Sequence, residues 1–167
     1  MPDHATRPVK MACRNLWKVF GDAPERFLAR HDHRPSSEAF RDEGYVGACQ
    51  DISFDVHEGE ILMIMGLSGS GKSTLVRCLA RLVDATAGEV LFDNADLLAA
   101  STRQLTWIRR HKIGMVFQHF GLLGHRTVLE NVAFPLEIQG VPQAKRLARA
   151  EEMIRTVGLE GRENYFP

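Results

Sequence analysis

The decapeptide MGLSGSGKST, residues 65–74, decides the fold of this chain. From Gly66 to Ser73 it fits the pattern G-x-x-x-x-G-K-[ST] at every fixed position. The continuous apolar run ILMIM at 61–65 precedes it and predicts a buried parallel strand. The segment that follows predicts an amphipathic helix, with Leu75, Leu79 and Leu82 on one stripe. A glycine-rich turn between a buried strand and a helix is typical of a phosphate-binding loop (P-loop).

The chemistry of such a loop follows from its backbone. Glycines let successive N–H groups turn inward, and the helix N-terminus adds further donors and a positive dipole end. Lys72 can add a full charge against the β- and γ-phosphates, and the Ser73 hydroxyl can ligate Mg²⁺. The predicted phosphate-binding residues are Gly66, Leu67, Ser68, Gly69, Ser70, Gly71, Lys72, Ser73 and Thr74. Nucleoside kinases, GTPases, recombinase-like motors and transporter ATPases all use this loop, so the loop alone does not choose among them.

Composition excludes several other classes. The chain has 167 residues, which suits one domain, and its formal net charge of +0 gives no indication of nucleic-acid binding. No apolar run approaches the ~20 residues of a membrane-spanning helix. Cys13, Cys49 and Cys78 form no CxxC pair, which favours reduced thiols in a cytosolic protein. His31 and His33 are the only close histidine pair, and no third ligand accompanies them, so no metal site is predicted from them.

Strand and helix signals alternate along the chain, which predicts an α/β fold with a mainly parallel sheet. The polar, charged segment 22–45 interrupts the first strands and reads as a helical insertion on the surface. The elements predicted in this half are a strand at 9–20, short helices at 25–31 and 37–43 (the second capped by Ser36 or Ser37), and a half-buried strand in CQDISFDVHEGE, 49–60.

The second half predicts more helix than strand. A strand and turn are expected in GEVLFDNADLL, 88–98, and a further buried strand in KIGMVFQ, 112–118. The other predicted features are a helix at 101–110 opened by a Ser101/Gln104 capping box, a second capping box at Thr127/Glu130, and helix breaks at Pro135 and Pro142.

The stretch IGMVFQHFGLLGHRTVLENV, 113–132, resembles the ABC transporter ATPases, in which a strand ending in a glutamine precedes a helical subdomain opening on TVLENV. NLWKVFG at 15–21, IMGLSGSGKSTLVR at 64–77 and RRHKIGMVFQ at 109–118, together with the charged insertion, are similar to the ATPase subunits of glycine betaine/proline importers for quaternary-amine osmoprotectants. The resemblance runs from about residue 10 to residue 167. It implies a P-loop NTPase core with N-terminal antiparallel strands and the start of an α-helical subdomain.

The resemblance also implies roles for individual residues. Gln118 would reach Mg²⁺ and the attacking water, as a catalytic partner of Lys72, although a glutamine can also simply close a strand. An aromatic residue of the first strand would stack on the adenine of ATP; Phe20 holds that position in NLWKVFG, with Trp17 and Tyr45 as rivals.

The family further implies partners and a location. These are a second ATPase subunit, a transmembrane permease that docks beside Gln118 and the helix beginning at Thr127, and, indirectly, a substrate-binding protein. The chain would lie peripherally on the cytoplasmic face of the inner (plasma) membrane.

The sequence departs from the family pattern after residue 118. The LSGGQ signature, the Walker B aspartate, the catalytic glutamate and the switch histidine are not found. The 167 residues therefore resemble a C-terminally truncated ATPase, with a nucleotide-binding core at 9–118 and an incomplete helical subdomain at 119–167. Nucleotide binding without turnover is expected of them alone. The alternatives are an ATPase of another importer, such as one for amino acids, a soluble kinase or GTPase, and a non-catalytic nucleotide-binding fragment.

Overall fold

A four-stranded antiparallel sheet forms the first part of the computed structural model, which describes residues 7–117 and 121–167. The strands are β1 (Val9–Phe20), β2 (Val46–His57), β3 (Ala87–Phe92) and β4 (Ala95–Asp96). They pair in the order β2-β1-β3-β4, and every pair is antiparallel. The predicted N-terminal antiparallel strands are confirmed by this sheet.

Six helices accompany the sheet among the described residues. They are α1 (Pro24–Arg30), α2 (Ser37–Asp42), α3 (Lys72–Leu79), α4 (Thr102–His111), α5 (Val128–Ile138) and α6 (Gln143–Thr156). The chain divides into two compact units, one ending at Leu105 and the other beginning at Thr106. The sheet and α1 to α3 belong to the first unit, and α5 and α6 pack together in the second. The division predicted at 118/119 stays a prediction.

The insertion is more than a surface appendage, contrary to the sequence-based expectation. Phe27 and Leu28 of α1 are fully buried, and they pack with Trp17 of β1 in one apolar cluster. The Phe27 ring stacks on Tyr45 with 4.1 Å between ring centroids. The polar, charged sequence of the segment and its serine cap predicted short helices, but they could not show that β1 offers these helices an apolar face. Of the two candidate caps, Ser36 is the one that acts, because its hydroxyl accepts the Ala39 N–H at 3.2 Å.

The two faces of β1 serve different parts of the first unit. Side chains alternate across a strand, and Trp17 and Val19 point into the insertion cluster. Lys18 pairs with Cys49 of β2, whose thiol interacts with Cys78 on the buried side of α3. The face that carries Lys18 is therefore the face on which α3, the helix after the P-loop, packs.

The two predicted parallel strands are not strands in the described residues, and this part of the sequence-based interpretation was wrong. Residues 61–65 and 113–117 form no ladder, and most of their apolar side chains are exposed to solvent: Ile61 is 88% exposed and Val116 is 100% exposed. An extended segment becomes a strand only when neighbours bond its backbone N–H and C=O groups. An apolar run indicates that a segment needs burial, but it does not supply the neighbour.

Two local predictions in the helices need correction. Leu82 lies beyond the end of α3 and is half exposed, so it is not part of the helical stripe. Pro135 lies inside α5 and does not break it, although an interior proline removes one intrahelical hydrogen bond and crowds the carbonyl four residues earlier. Pro142 does separate helices, since it is the N-cap of α6.

The capping boxes are both confirmed. The Thr127 N–H donates to the Glu130 carboxylate at 2.8 Å, and the Thr127 hydroxyl accepts the Glu130 N–H at 3.3 Å. Ser101 and Gln104 exchange the equivalent pair of bonds before α4. The TVLENV segment thus begins a helix at the predicted residue. No helix in the described ranges is both long and apolar enough to cross a bilayer.

Candidate nucleotide-binding site

The loop before α3 has the backbone of an anion cradle. Gly69 and Gly71 both adopt left-handed conformations, with φ of +78° and +89°. Gly71 is the N-cap of α3, and its carbonyl accepts the Leu75 N–H at 2.8 Å. The N–H groups of the first turn of α3 therefore point back toward the loop, where a phosphate would meet them.

A close backbone contact fixes this loop against the sheet. A Cβ built on Gly71 would lie 2.0 Å from the Ala48 carbonyl oxygen, so only glycine fits there. The β1–β2 ladder skips Ala48, because Lys18 pairs with Cys49 and Val19 with Gly47. Such a bulge bends its strand locally. The bulge thus lies where β2 meets the P-loop.

The Lys72 ammonium is held within the loop. It donates to the Gly66 carbonyl at 2.8 Å, to the Leu67 carbonyl at 2.6 Å and to the Ser70 hydroxyl at 3.3 Å. All three acceptors are uncharged. The positive charge therefore has no anionic partner within these contacts.

A pocket of about 410 Å³ opens over the loop. Its lining residues are Phe20, Val46, Gly47, Ala48, Gly69, Ser70, Gly71, Lys72, Ser73 and Thr74. Six of the nine predicted phosphate-binding residues therefore share one cavity, whereas Gly66, Leu67 and Ser68 lie on the loop outside its lining. Gln118, the predicted metal ligand and catalytic glutamine, lies outside the described residues.

Of the three aromatic candidates, Phe20 is the one that lines the pocket. Its side chain is 45% exposed. Trp17 is only 6% exposed and belongs to the insertion cluster, on the opposite face of β1. Tyr45 stacks on Phe27, and its hydroxyl donates to the Asp22 carbonyl at 2.5 Å.

The residues present fit a nucleoside triphosphate with its magnesium ion. The first turn of α3 contains no acidic side chain, and the exposed Ser73 hydroxyl lies at the mouth of the cradle. Left-handed glycines, a helix N-terminus of positive potential and a nearby ammonium are together suited to a polyanion. Hydroxyl oxygen is a suitable ligand for Mg²⁺.

Comparison with known proteins decides the family. The family model described as ABC transporter matches residues 49–166, which is more than half of the chain. The chain belongs to the ABC transporter family. This family membership agrees with the resemblance seen in the P-loop and in the TVLENV segment.

Individual relatives cover different shares of this ABC chain. A trimethylamine N-oxide transport system ATP-binding protein, TmoW of Pelagibacter ubique, is 47% identical over 155 residues, covering 93% of this chain and 46% of the relative. The glycine betaine/proline betaine transport ATP-binding protein ProV of Escherichia coli is 42% identical, covering 95% of this chain and 40% of the relative. The methionine import ATP-binding protein MetN 2 of Enterococcus faecalis is 52% identical, covering 74% of this chain and 36% of the relative. The chain thus spans less than half the length of these relatives.

A solved structure gives the same assignment. The dimeric ATP-binding cassette MJ0796, in a post-hydrolysis state bound to ADP and Pi, superposes with a TM-score of 0.75 at 32% sequence identity. The match covers 94% of this ABC chain and 61% of the cassette. The P-loop NTPase fold class is therefore shown, even though the described sheet is antiparallel.

Sequence reasoning missed three residues of the pocket wall, Val46, Gly47 and Ala48. The predicted strand began only at Cys49, whereas β2 begins at Val46. A glycine within a strand often marks a bulge or a close approach, and this would have been the signal had the strand been predicted from Val46. Gly47 adjoins the bulge at Ala48. It also lies close to another side chain, because a Cβ on Gly47 would lie 2.8 Å from the Phe40 ring.

Two glycines of the loop make a matched pair for mutation. Gly71→Ala introduces both a left-handed alanine and a clash with the Ala48 carbonyl, whereas Gly69→Ala introduces only the left-handed alanine, since no atom lies within 4 Å of its Cβ. We expect Gly69→Ala to lower the free energy of unfolding by roughly 1–2 kcal/mol and Gly71→Ala to lower it further. Denaturant titration measures both values, and equal losses would contradict the role given to the Ala48 contact.

Loss of the Lys72 charge should weaken nucleotide binding. Lys72→Ala removes a charge-assisted donor, and we expect a loss of at least ~1.5 kcal/mol, about tenfold in Kd. Calorimetry with a non-hydrolysable ATP analogue measures this change. Lys145→Ala removes an exposed lysine of α6 and serves as the control for net charge. Equal affinities of wild type and Lys72→Ala would show that the loop does not bind the phosphates.

Proposed function

We propose that this chain is the nucleotide-binding part of an ATPase subunit that powers uptake of quaternary-amine osmolytes of the glycine betaine/proline type. One observation carries the nucleotide assignment: the glycine-rich cradle of residues 69–74 and the exposed ring of Phe20 line the same pocket. A phosphate site and an aromatic platform in one cavity suit the two ends of ATP.

The proposed roles follow from the geometry of the loop. The phosphates lie over the N–H groups of residues 69–74, and Lys72 exchanges its carbonyl acceptors for the β- and γ-phosphate oxygens. Ser73 and Gln118 ligate Mg²⁺, which draws charge from the phosphates when it is bound. The role of Gln118, including contact with the attacking water, rests on its place in the family motif. Phe20 stacks on the adenine.

Coverage of the relatives supports the osmolyte class. The alignments to TmoW, ProV and the glycine betaine ATP-binding protein OpuAA of Bacillus subtilis cover 93–96% of this chain. Fewer residues of this chain lie outside these alignments than the insertion at 22–45 contains, so the alignments extend into the insertion. The methionine-import relatives match 73–74% of the chain, although identity within that part reaches 52%. An amino-acid importer is therefore the second candidate.

The proposed assembly has the partners that an importer requires. Two copies of the full-length ATPase subunit pair, as expected from the dimeric cassette MJ0796. A transmembrane permease docks beside Gln118 and the N-terminus of α5, so that the γ-phosphate site and the permease are mechanically joined. A substrate-binding protein delivers the osmolyte to the permease. The subunit lies on the cytoplasmic face of the inner membrane.

Asn131 equips the region near α5 for this role. Its side-chain amide donates to the carbonyls of Leu123, Arg126 and Thr127, and its carbonyl accepts the Leu123 N–H at 2.7 Å. These four bonds hold residues 123–127 to the start of α5. Movement of residues 123–127 would therefore be transmitted to this helix.

The base contact can be separated from the phosphate contacts. Phe20→Ala should weaken binding of a non-hydrolysable ATP analogue by on the order of 1–3 kcal/mol and leave inorganic tripolyphosphate binding unchanged, because only the base contact is removed. Calorimetry with both ligands measures the difference. Trp17→Ala and Tyr45→Ala are the comparisons, and either of them giving this pattern in place of Phe20→Ala would contradict the placement.

Transport in cells tests the substrate class. Deletion of the gene that encodes this chain, in a strain without a redundant importer, should abolish accumulation of labelled glycine betaine under salt stress. Restoring the wild-type gene should restore uptake, and restoring the Lys72→Ala gene should not.

Parallel assays with labelled trimethylamine N-oxide and methionine separate the alternatives. Normal betaine accumulation together with a loss of methionine uptake would transfer the assignment to the amino-acid class. A loss of betaine uptake and a loss of methionine uptake are each compatible with membership of the ABC transporter family.

A further inference from the structure

Lys18 is the one residue of β1 whose charge lies against the proposed adenine platform. Its ammonium is positioned over the Phe20 ring, 4.8 Å from the ring centroid. The two side chains are two residues apart and lie on the α3 face of the strand, whereas Trp17 and Val19 point into the insertion cluster.

The surroundings of Lys18 favour its contact with this ring. Lys18 is half-buried, and within residues 7–117 and 121–167 no carboxylate forms an ion pair with it. Its cross-strand neighbour Cys49 is buried. The hydrogen bond between Cys49 and Cys78 raises the pKa of the Cys49 thiol and lowers that of Cys78, and the charge of Lys18 adds to the lowering at Cys78. A partly desolvated ammonium gains more from an aromatic face than an exposed one does.

From this geometry we propose that Lys18 is a positioning residue for nucleobase recognition, which holds the Phe20 ring in the orientation that stacks on adenine. The inference rests on the proposed function of Phe20. Because the ammonium covers one face of the ring, the other face is left for the base. Lys18 thereby limits the ring rotations open to a side chain that is otherwise 45% exposed.

The chain offers a matched control on the same strand. Lys10 also places its ammonium over a phenylalanine ring, that of Phe92, at 5.2 Å. Phe92 does not line the nucleotide pocket. Removing either ammonium deletes one cation–π contact from β1, and at Lys10 it also removes an ion pair with Asp93 at 2.7 Å. Only the change at Lys18 touches the proposed platform.

The test compares two ligands across four variants of the intact protein that carries this chain. Kd values for a non-hydrolysable ATP analogue and for inorganic tripolyphosphate are measured by calorimetry on Lys18→Met, Lys18→Arg, Phe20→Ala and Lys10→Met. We expect Lys18→Met to weaken analogue binding about two- to fivefold, the range of a cation–π contact, with tripolyphosphate unchanged. Lys18→Arg keeps a cation over the ring and should retain most of the affinity. Lys10→Met should change neither ligand.

A double variant separates positioning from general destabilisation. In a Phe20→Ala background, Lys18→Met should produce no further loss of analogue binding, because the ring that it positions is gone. A merely structural role would lower the affinity for both ligands in both backgrounds.

The possible failures are distinguishable. If Phe20→Ala leaves the analogue-to-tripolyphosphate ratio unchanged, the proposed function of Phe20 fails and the role of Lys18 fails with it. If Phe20→Ala changes that ratio and Lys18→Met does not, only the role of Lys18 is overturned. Equal weakening of both ligands by Lys18→Met would show that the ammonium contacts phosphate and does not position the ring.

Discussion

The contact between Gly71 and the Ala48 carbonyl is the constraint on which the site depends. A side chain on residue 71 would leave no room for that carbonyl, so the P-loop can approach the sheet only because this residue is glycine. The same residue caps α3 in a left-handed conformation. One position therefore sets both the direction of the helix dipole and its distance from β2. The bulge at Ala48 is the complementary feature of the sheet.

The alternation of β1 explains how one strand serves two structures. Trp17 and Val19 are buried in the insertion cluster, and Lys18 and Phe20 lie on the side of α3 and the pocket. The insertion, residues 22–45, lies between Phe20 and Val46, and both of these flanking residues line the pocket. Packing of the insertion against β2, such as the close approach of the Phe40 ring to Gly47, therefore bears on the shape of the candidate site.

The parts of the fold that sequence could predict are those set by local chemistry. The P-loop pattern, the Thr127/Glu130 capping box and the strand at 9–20 depend on residues that are close in sequence, and all three are present in the structure. The strands expected at 61–65 and 112–118 depend on a neighbour elsewhere, which an apolar run does not specify. The bulge at Ala48 failed to be predicted for a similar reason, because it arises from pairing between β1 and β2.

The choice among Phe20, Trp17 and Tyr45 shows how much the alternation of side chains along a strand can predict. Adjacent residues of a strand face opposite sides, so Trp17 and Phe20 could not both face the pocket, yet the sequence does not state which side is which. That information comes from the insertion, whose Phe27 and Leu28 pack on the face of β1 that carries Trp17. The site is thus partly defined by a segment that does not line it.

The contacts of Lys72 determine how its contribution to binding should be understood. Its ammonium already has three uncharged acceptors within the loop, so phosphate oxygens replace existing hydrogen bonds and do not simply add new ones. The net gain is the difference between anionic and neutral acceptors, which is why a modest figure of about 1.5 kcal/mol is the appropriate lower bound. The proposed exchange would also release the carbonyls of Gly66 and Leu67. Nucleotide binding would then be coupled to the conformation of residues 66–67, which precede the cradle.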